Sequence, residues 1–149
     1  MSAGLLMFRR RPRLEVFLIH PGGPFFRGKD VWSIPKGEPL PDEDLRLCAL
    51  REFEEETGVR PTGLLFPIGQ VRQKGGKVVH AWAFEGDWDG VLRSNTFSLE
   101  WPPRSGRMQE FPEADRAAFF EPDEAKRRII EAQAAFIERV EALPERPSI

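Results

Sequence analysis

Cysteine is nearly absent from this chain: Cys48 stands alone among 149 residues and can close no internal disulfide. Only two histidines, His20 and His80, accompany it, which excludes a typical structural zinc site. No apolar run approaches the ~18 residues of a membrane-spanning helix. The opening segment MSAGLLMFRRRPR sets apolar residues ahead of its charges, over a stretch too short for a secretory leader. It reads as a first strand, with the cytoplasm as the expected location and no membrane partner. An excess of one charge is missing as well: 22 Lys and Arg against 24 Asp and Glu leave a net charge of −2. No global field grips nucleic acid or an anionic surface, so nucleic acid is not an expected partner and any polyanion must be met locally. Neither repeats nor low-complexity tracts appear, and nothing specifies an oligomeric state. Residues 1–149 are expected to form one domain, a length that buries about two-thirds of the surface of the unfolded chain.

What is present is punctuation. Thirteen glycines and 14 prolines cut the chain into short pieces, as expected for a sheet-rich domain. Ala3 to Phe8 and Leu14 to His20 are compact apolar runs around a basic turn, Arg9 to Arg13, and predict two strands. Pro21-Gly22-Gly23-Pro24 breaks the second, and an aromatic-rich loop leads to Trp32-Ser33-Ile34-Pro35-Lys36-Gly37. From Asp42 to Thr57 the signals are helical: Asp42 suits the N-cap, Glu43 and Asp44 suit the positive end of the dipole, and Gly58 and Pro61 end the helix. Gly63 to Val71 and Lys77 to Glu85 read as a hairpin around Gly75-Gly76. Residues 86–112 form a long insertion of poor periodicity, a loop length that is usually functional or disordered. After a short strand at Ala117 to Phe120, the spacing of Ile129, Gln133, Phe136, Ile137 and Val140 predicts one terminal helix. The pattern describes an α+β fold in which a mixed sheet is covered by a central and a C-terminal helix.

The central helix carries the chemistry. At 100° per residue, Glu52, Glu55 and Glu56 fall within an arc of about 100°, so one face of its last two turns gathers three carboxylates. Such a cluster is ordinarily a solvated face. Here like charges stand at i,i+3 and i,i+4 with only Arg51 placed to offset them, and the same stripe is apolar one or two turns earlier, at Leu45, Cys48 and Ala49. A divalent cation relieves that repulsion. Oxygen ligands favour a hard ion that keeps sites for water and phosphate, which makes Mg²⁺ the first choice and Mn²⁺ the second.

Gly37, five residues, Glu43, seven residues, Arg51-Glu52-Phe53, one residue, Glu55-Glu56, one residue and Gly58-Val59 match the Nudix box without a departure. The chain resembles the Nudix hydrolase family over that segment and in the order of its flanking elements. The resemblance implies an α/β/α sandwich and Mg²⁺-dependent cleavage of a phosphoanhydride bond in a nucleoside diphosphate linked to a group X. It implies Glu52, Glu55 and Glu56 as metal ligands, Arg51 as the group orienting a glutamate, and Glu43 as support for the loop-helix geometry or for the outer shell of the metal. Gly37 would permit a turn. The base that takes the proton of water would be Glu55 or Glu52, with Glu100, Glu110 and Glu113 of the insertion as alternatives.

On the substrate side, Trp32-Ser33-Ile34-Pro35-Lys36-Gly37 resembles the lead-in of Nudix hydrolases acting on diadenosine polyphosphates. Lys36 would meet a phosphate oxygen beside Gly37, and Trp32, Phe25, Phe26 or Trp82 would offer a stacking surface, although aromatics in a small sheet protein are more often core. Arg9, Arg10, Arg11 and Arg13 form the one dense basic cluster, read as a solvated turn. The histidines have no partner pattern for nucleophilic catalysis, and Cys48 reads as a small core residue. The 86–112 insertion mixes hydroxyls, aromatics and arginines and is the expected seat of selectivity for X. Three readings compete. The leading one is a dinucleoside-polyphosphate pyrophosphohydrolase. The second changes the substrate to a nucleoside triphosphate, a nucleotide sugar, ADP-ribose or a capped RNA end. The third is a nucleotide-binding regulatory module without turnover.

Overall fold

The computed structural model describes residues 1–144, whose organising feature is a mixed sheet buried on both faces. Strands β1 (Ser2–Arg10) and β2 (Leu14–Pro21) form the antiparallel pair expected from the two apolar runs. β4 (Phe66–Arg72) and β5 (Val78–Glu85) form the hairpin around Gly75-Gly76. β5 then lies parallel to β1, and β8 (Ala114–Phe120) pairs antiparallel with β2, giving the order β4-β5-β1-β2-β8. Away from their shared turn β1 and β2 diverge. Into the opening runs the segment 33–37: Ser33 bridges Ile19 of β2, and the two-residue strand β3 (Lys36–Gly37) pairs with Gly4 and Ala3 of β1. A Cβ on Gly4 would collide with Pro35 and Lys36, so this close approach depends on that glycine.

Alternation along β1 sorts the core into two. Ala3, Leu5 and Met7 join Phe17 and Ile19 under helix α1 (Leu45–Thr57), where Cys48, Ala49 and Phe53 are fully buried. Leu6 and Phe8 join Val16 and Leu18 on the opposite face, beneath Phe136, Ile137 and Val140. Truncating Phe53 to alanine would cost about 3–5 kcal/mol, because its ring packs on Phe17 and Phe84 with no exposed edge.

Three expectations are corrected. The N-cap of α1 is Asp44, whose side chain accepts hydrogen bonds from the amides of Arg46 and Leu47; Asp42 lies earlier, in a turn at φ 63°, and Glu43 is drawn away to Arg51. The C-terminus is as expected, with Gly58 left-handed at φ 79°. The terminal helix is broken: α2 (Pro122–Arg128) stops where Ile129 turns extended, a 3-10 turn covers Glu131–Gln133, and α3 (Ala134–Glu141) follows. The break has a cause in pairing, since the Trp32 amide donates to the Arg128 carbonyl and the Ile130 amide to that of Trp32. The 86–112 segment is not a loop throughout. It carries β6 (Thr96–Glu100) and β7 (Met108–Pro112), a separate two-stranded sheet. No helix among the described residues is long and apolar enough to cross a membrane.

Candidate active site

Arg51 organises the acidic end of α1. Its Nε and Nη2 donate to the two carboxylate oxygens of Glu43, each at 2.8 Å, a fork-on-fork pair. Nη1 donates to Glu52 at 2.9 Å and to Glu55 at 3.0 Å. These bonds, those to Glu43 first, drive the Arg51 pKa upward, and the same guanidinium holds the Glu43 carboxyl at about 2. Glu43 also accepts from the Leu40 amide, so the loop entering α1 and the last two turns of the helix share one arginine.

Glu56 lies outside that clamp. It is 6% exposed, and its Oε2 is buried without a hydrogen-bond partner among the described residues. Burial pushes its pKa up to about 9, assisted by the charges of Glu52 and Glu113, against the pull of Lys36. Lys36 is displaced downward by burial and by Lys77. Glu113, at the N-terminal edge of β8, is raised by partial withdrawal from water and by Glu52 and Glu55.

Gly37 fits against Glu52: a Cβ there would overlap the Glu52 carboxyl group. The expected reason for this glycine was a turn. The observed reason is room for a carboxylate, because Gly37 is not among the glycines of positive φ. The Cys48 thiol, raised to about 11 by burial, donates weakly to the Gly37 carbonyl at 3.5 Å and fills space in the core, as expected.

Lys36, Glu56 and Glu113 line a cleft of about 330 Å³. Its remaining walls are Ile19, Pro21, Gly22, Phe26, Ser33, Ile34, Phe97 and Ile130. One end is therefore acidic and basic, the other apolar and aromatic, a composition common in small-molecule sites. Larger cavities lie elsewhere, one between the turn after β1 and α2 and one beside Phe8, Phe66 and Glu85, and they bring together none of the box residues.

The sequence expectations divide. Lys36, Phe26 and Glu56 stand on the cleft, and Arg51, Glu52 and Glu55 are joined at the end of α1. Trp32 does not offer a face. It is 4% exposed, its Nε1 donates to Asp30, and its ring is met edge-on by Phe120 and His20, so its place is the core. Trp82 is half-buried in β5 beside the α1 core. The basic turn is spent on structure: Arg9 pairs with Glu15 and Asp87 and lies 3.7 Å above Phe119, and Arg11 pairs with Asp87. Glu100 and Glu110 are exposed on the hairpin. Phe97 belongs to the insertion expected to set selectivity, whereas Ile130 and the Pro21-Gly22 wall were not expected on the cleft from sequence.

The oxygen-only donor set fits a hard cation in chemical type, and the unpartnered Glu56 oxygen gives it a reason to bind. No three acidic, histidine or cysteine side chains among the described residues form a ready cage, since Arg51 occupies oxygens of Glu52 and Glu55.

A mixed sheet between helices, with this clamp beside a cleft, defines the class before any comparison. The NUDIX domain profile matches residues 1–140, and the chain belongs to that family. An mRNA-decapping protein g5R of African swine fever virus is 59% identical over 32 residues, 22% of this chain and 13% of that protein. An RNA pyrophosphohydrolase of Caulobacter vibrioides is 38% identical over 64 residues, 38% of this chain and 37% of that one. The chain thus spans well under half the length of these relatives. A C. elegans Ap4A hydrolase, solved as a binary complex, shares the fold with a TM-score of 0.67 at 20% identity, covering 95% of this chain and 96% of that one.

Proposed function

We propose that the protein is a divalent-metal-dependent pyrophosphohydrolase that cleaves a phosphoanhydride bond in a nucleoside diphosphate linked to X, with a dinucleoside polyphosphate as the leading substrate. The observation that carries this reading is a cleft in which Glu56, Lys36 and Glu113 meet an apolar, aromatic wall, with Glu56 on the same helix end where Arg51 clamps Glu52 and Glu55. Residues 1–149 act as one domain in this reading, placed in the cytoplasm.

Glu52, Glu55 and Glu56 would hold the cation, Mg²⁺ first and Mn²⁺ second, which when bound neutralises non-bridging phosphate oxygens and polarises water. Arg51 fixes the rotamers of Glu52 and Glu55 through one nitrogen, so the ligands are pre-oriented. Lys36 offers a point charge to a phosphate oxygen, and Gly37 leaves room for Glu52. For the proton of the attacking water, Glu113 is preferred to Glu52 or Glu55, because it faces the cleft, its pKa is raised and Arg51 does not hold it. Phe26 and Phe97 provide the apolar end for the first base.

A second reading, hydrolysis at the 5′ end of RNA, is favoured by the names of two relatives, the mRNA-decapping protein and the RNA pyrophosphohydrolase. One panel decides: dinucleoside polyphosphates, nucleoside triphosphates, ADP-ribose, nucleotide sugars and 5′-triphosphorylated RNA, compared by kcat/KM with Mg²⁺. The expected result is metal-dependent release of nucleotide, ranked with a dinucleoside polyphosphate first. Tight nucleotide binding without release would instead establish the regulatory module.

A further inference from the structure

The cleft is too small for everything the proposed substrate carries. About 330 Å³ lies at the lower end of ligand-site volumes, and two nucleosides joined by phosphates extend beyond it. If the proposed phosphoanhydride chemistry holds, X must leave the cleft and cross a neighbouring surface.

Such a surface continues directly from the aromatic end. Phe97, Leu99 and Trp101 alternate along one side of β6 and its exit, so they share a face. The inner end of this face is closed: Phe97 packs on Phe111, a Cβ on Gly23 would press into its ring, and a Cβ on Gly22 would collide with Pro112. At the outer end Phe25 meets the half-buried Trp101 edge-on with centroids 5.5 Å apart and is itself 59% exposed. Two strands alone bury too little to be stable in water, so an exposed Phe25 set against a half-buried Trp101 at this end needs a reason beyond folding.

The two pairs come from the same two segments. Phe26 and Phe97 line the cleft; Phe25 and Trp101 are the next position on one segment and four residues further on the other. Four residues of extended strand span about 13 Å, a reach that a phosphate chain or one further nucleotide covers. Charge points to a base and not to a run of phosphates, since Arg104 and Arg107 of the hairpin are matched by Glu100 and Glu110.

We infer that the Phe25–Trp101 pair is a stacking platform for a second nucleobase, the one carried by X, while the first nucleoside occupies the cleft beside Phe26 and Phe97. This inference rests on the proposed substrate class. Stacking on aromatics tolerates any base, so the platform selects for a second base without selecting its identity.

The test compares diadenosine tetraphosphate and a 5′-triphosphorylated RNA tetramer with ATP, which has no second base. Phe25→Ala and Trp101→Ala are expected to raise KM about tenfold for a two-base substrate at unchanged kcat, and to leave ATP unaffected; Trp101→Phe restores most of the loss. A penalty on the dinucleotide alone or on RNA alone supports the platform and identifies which molecule supplies X. Equal losses for ATP and both two-base substrates, or no loss at all, overturn it. Binding is read separately from turnover: diadenosine tetraphosphate should quench Trp101 fluorescence in the wild type, and Trp101→Phe should lose that component while the response to ATP persists. That quenching without hydrolysis of any substrate would sink the proposed activity and leave the platform standing, whereas absence of the quenching overturns the platform.

Discussion

Helix α1 and the β6–β7 hairpin meet at the cleft yet are built on opposite terms. α1 is delimited by its own sequence: a capping Asp44, buried Phe53, left-handed Gly58, and an arginine joined to three glutamates within eight residues on either side. The hairpin has one half-buried side and depends on what it leans on, with Gly22 and Gly23 leaving room for Pro112 and Phe97. The difference suggests a division of labour, in which the helix supplies a reaction common to any phosphoanhydride and the hairpin decides which molecule is presented.

Variants can break that division. The largest effect is expected from Glu56→Gln and Glu55→Gln, each lowering kcat/KM by about 100-fold or more on every substrate while the circular dichroism spectrum is unchanged. A loss confined to one substrate would contradict the helix as the common element. Next is Gly37→Ala, whose methyl displaces the Glu52 carboxylate; a loss of roughly 10- to 100-fold in kcat follows if a displacement near 1 Å disturbs the ligands. Phe97→Ala sharpens the comparison from the other side. It should raise KM about tenfold with little change in kcat, and reorder the substrate panel, which single-turnover kinetics can separate from folding damage.

The remaining effect is on stability and not on turnover. The Glu56 pKa is raised in the folded state to about 9, above its unfolded value, so between roughly pH 4.5 and 9 the folded metal-free protein holds a proton that the unfolded chain has lost. The associated stability is complete at acid pH and is lost as pH rises, with a slope of at most about 1.4 kcal/mol per pH unit. Thermal melts in chelator from pH 5 to 9 should show Tm falling with this contribution, and Glu56→Gln should flatten it. Added Mg²⁺ should restore stability most at high pH, where binding no longer has to expel the proton.

Much of this was legible in the residues. Box spacing placed Arg51 against Glu55, because an i,i+4 contact is a property of a helix and needs no tertiary information. The strand pairs β1–β2 and β4–β5 followed from apolar runs flanking turn residues. Contacts across long separations were not legible. Gly37 looked like a turn residue because its neighbour Glu52 is fifteen positions away, and Trp32 looked available because the strand-like pairing with Arg128 and Ile130 that buries it lies about a hundred residues on. That same pairing interrupted a helical spacing that Ile129, Gln133 and Phe136 otherwise satisfied. β6 and β7 were hidden for a different reason: a weakly alternating pair with prolines and a glycine at its tip has no apolar period strong enough to announce itself.

The Arg93 amide donates to the Thr57 carbonyl and the Asn95 amide to that of Glu55, while the Glu113 amide returns to the Asn95 carbonyl. Both feet of the arm thus stand on, or beside, the final turn of the acidic helix, held by main-chain bonds and by the Ser94 hydroxyl, which accepts from the Ala114 amide. Residues between those feet can be exchanged, lengthened or shortened with no side chain of the reaction centre altered, so new substrate preferences can be grafted at this joint while the hydrolytic apparatus is inherited whole.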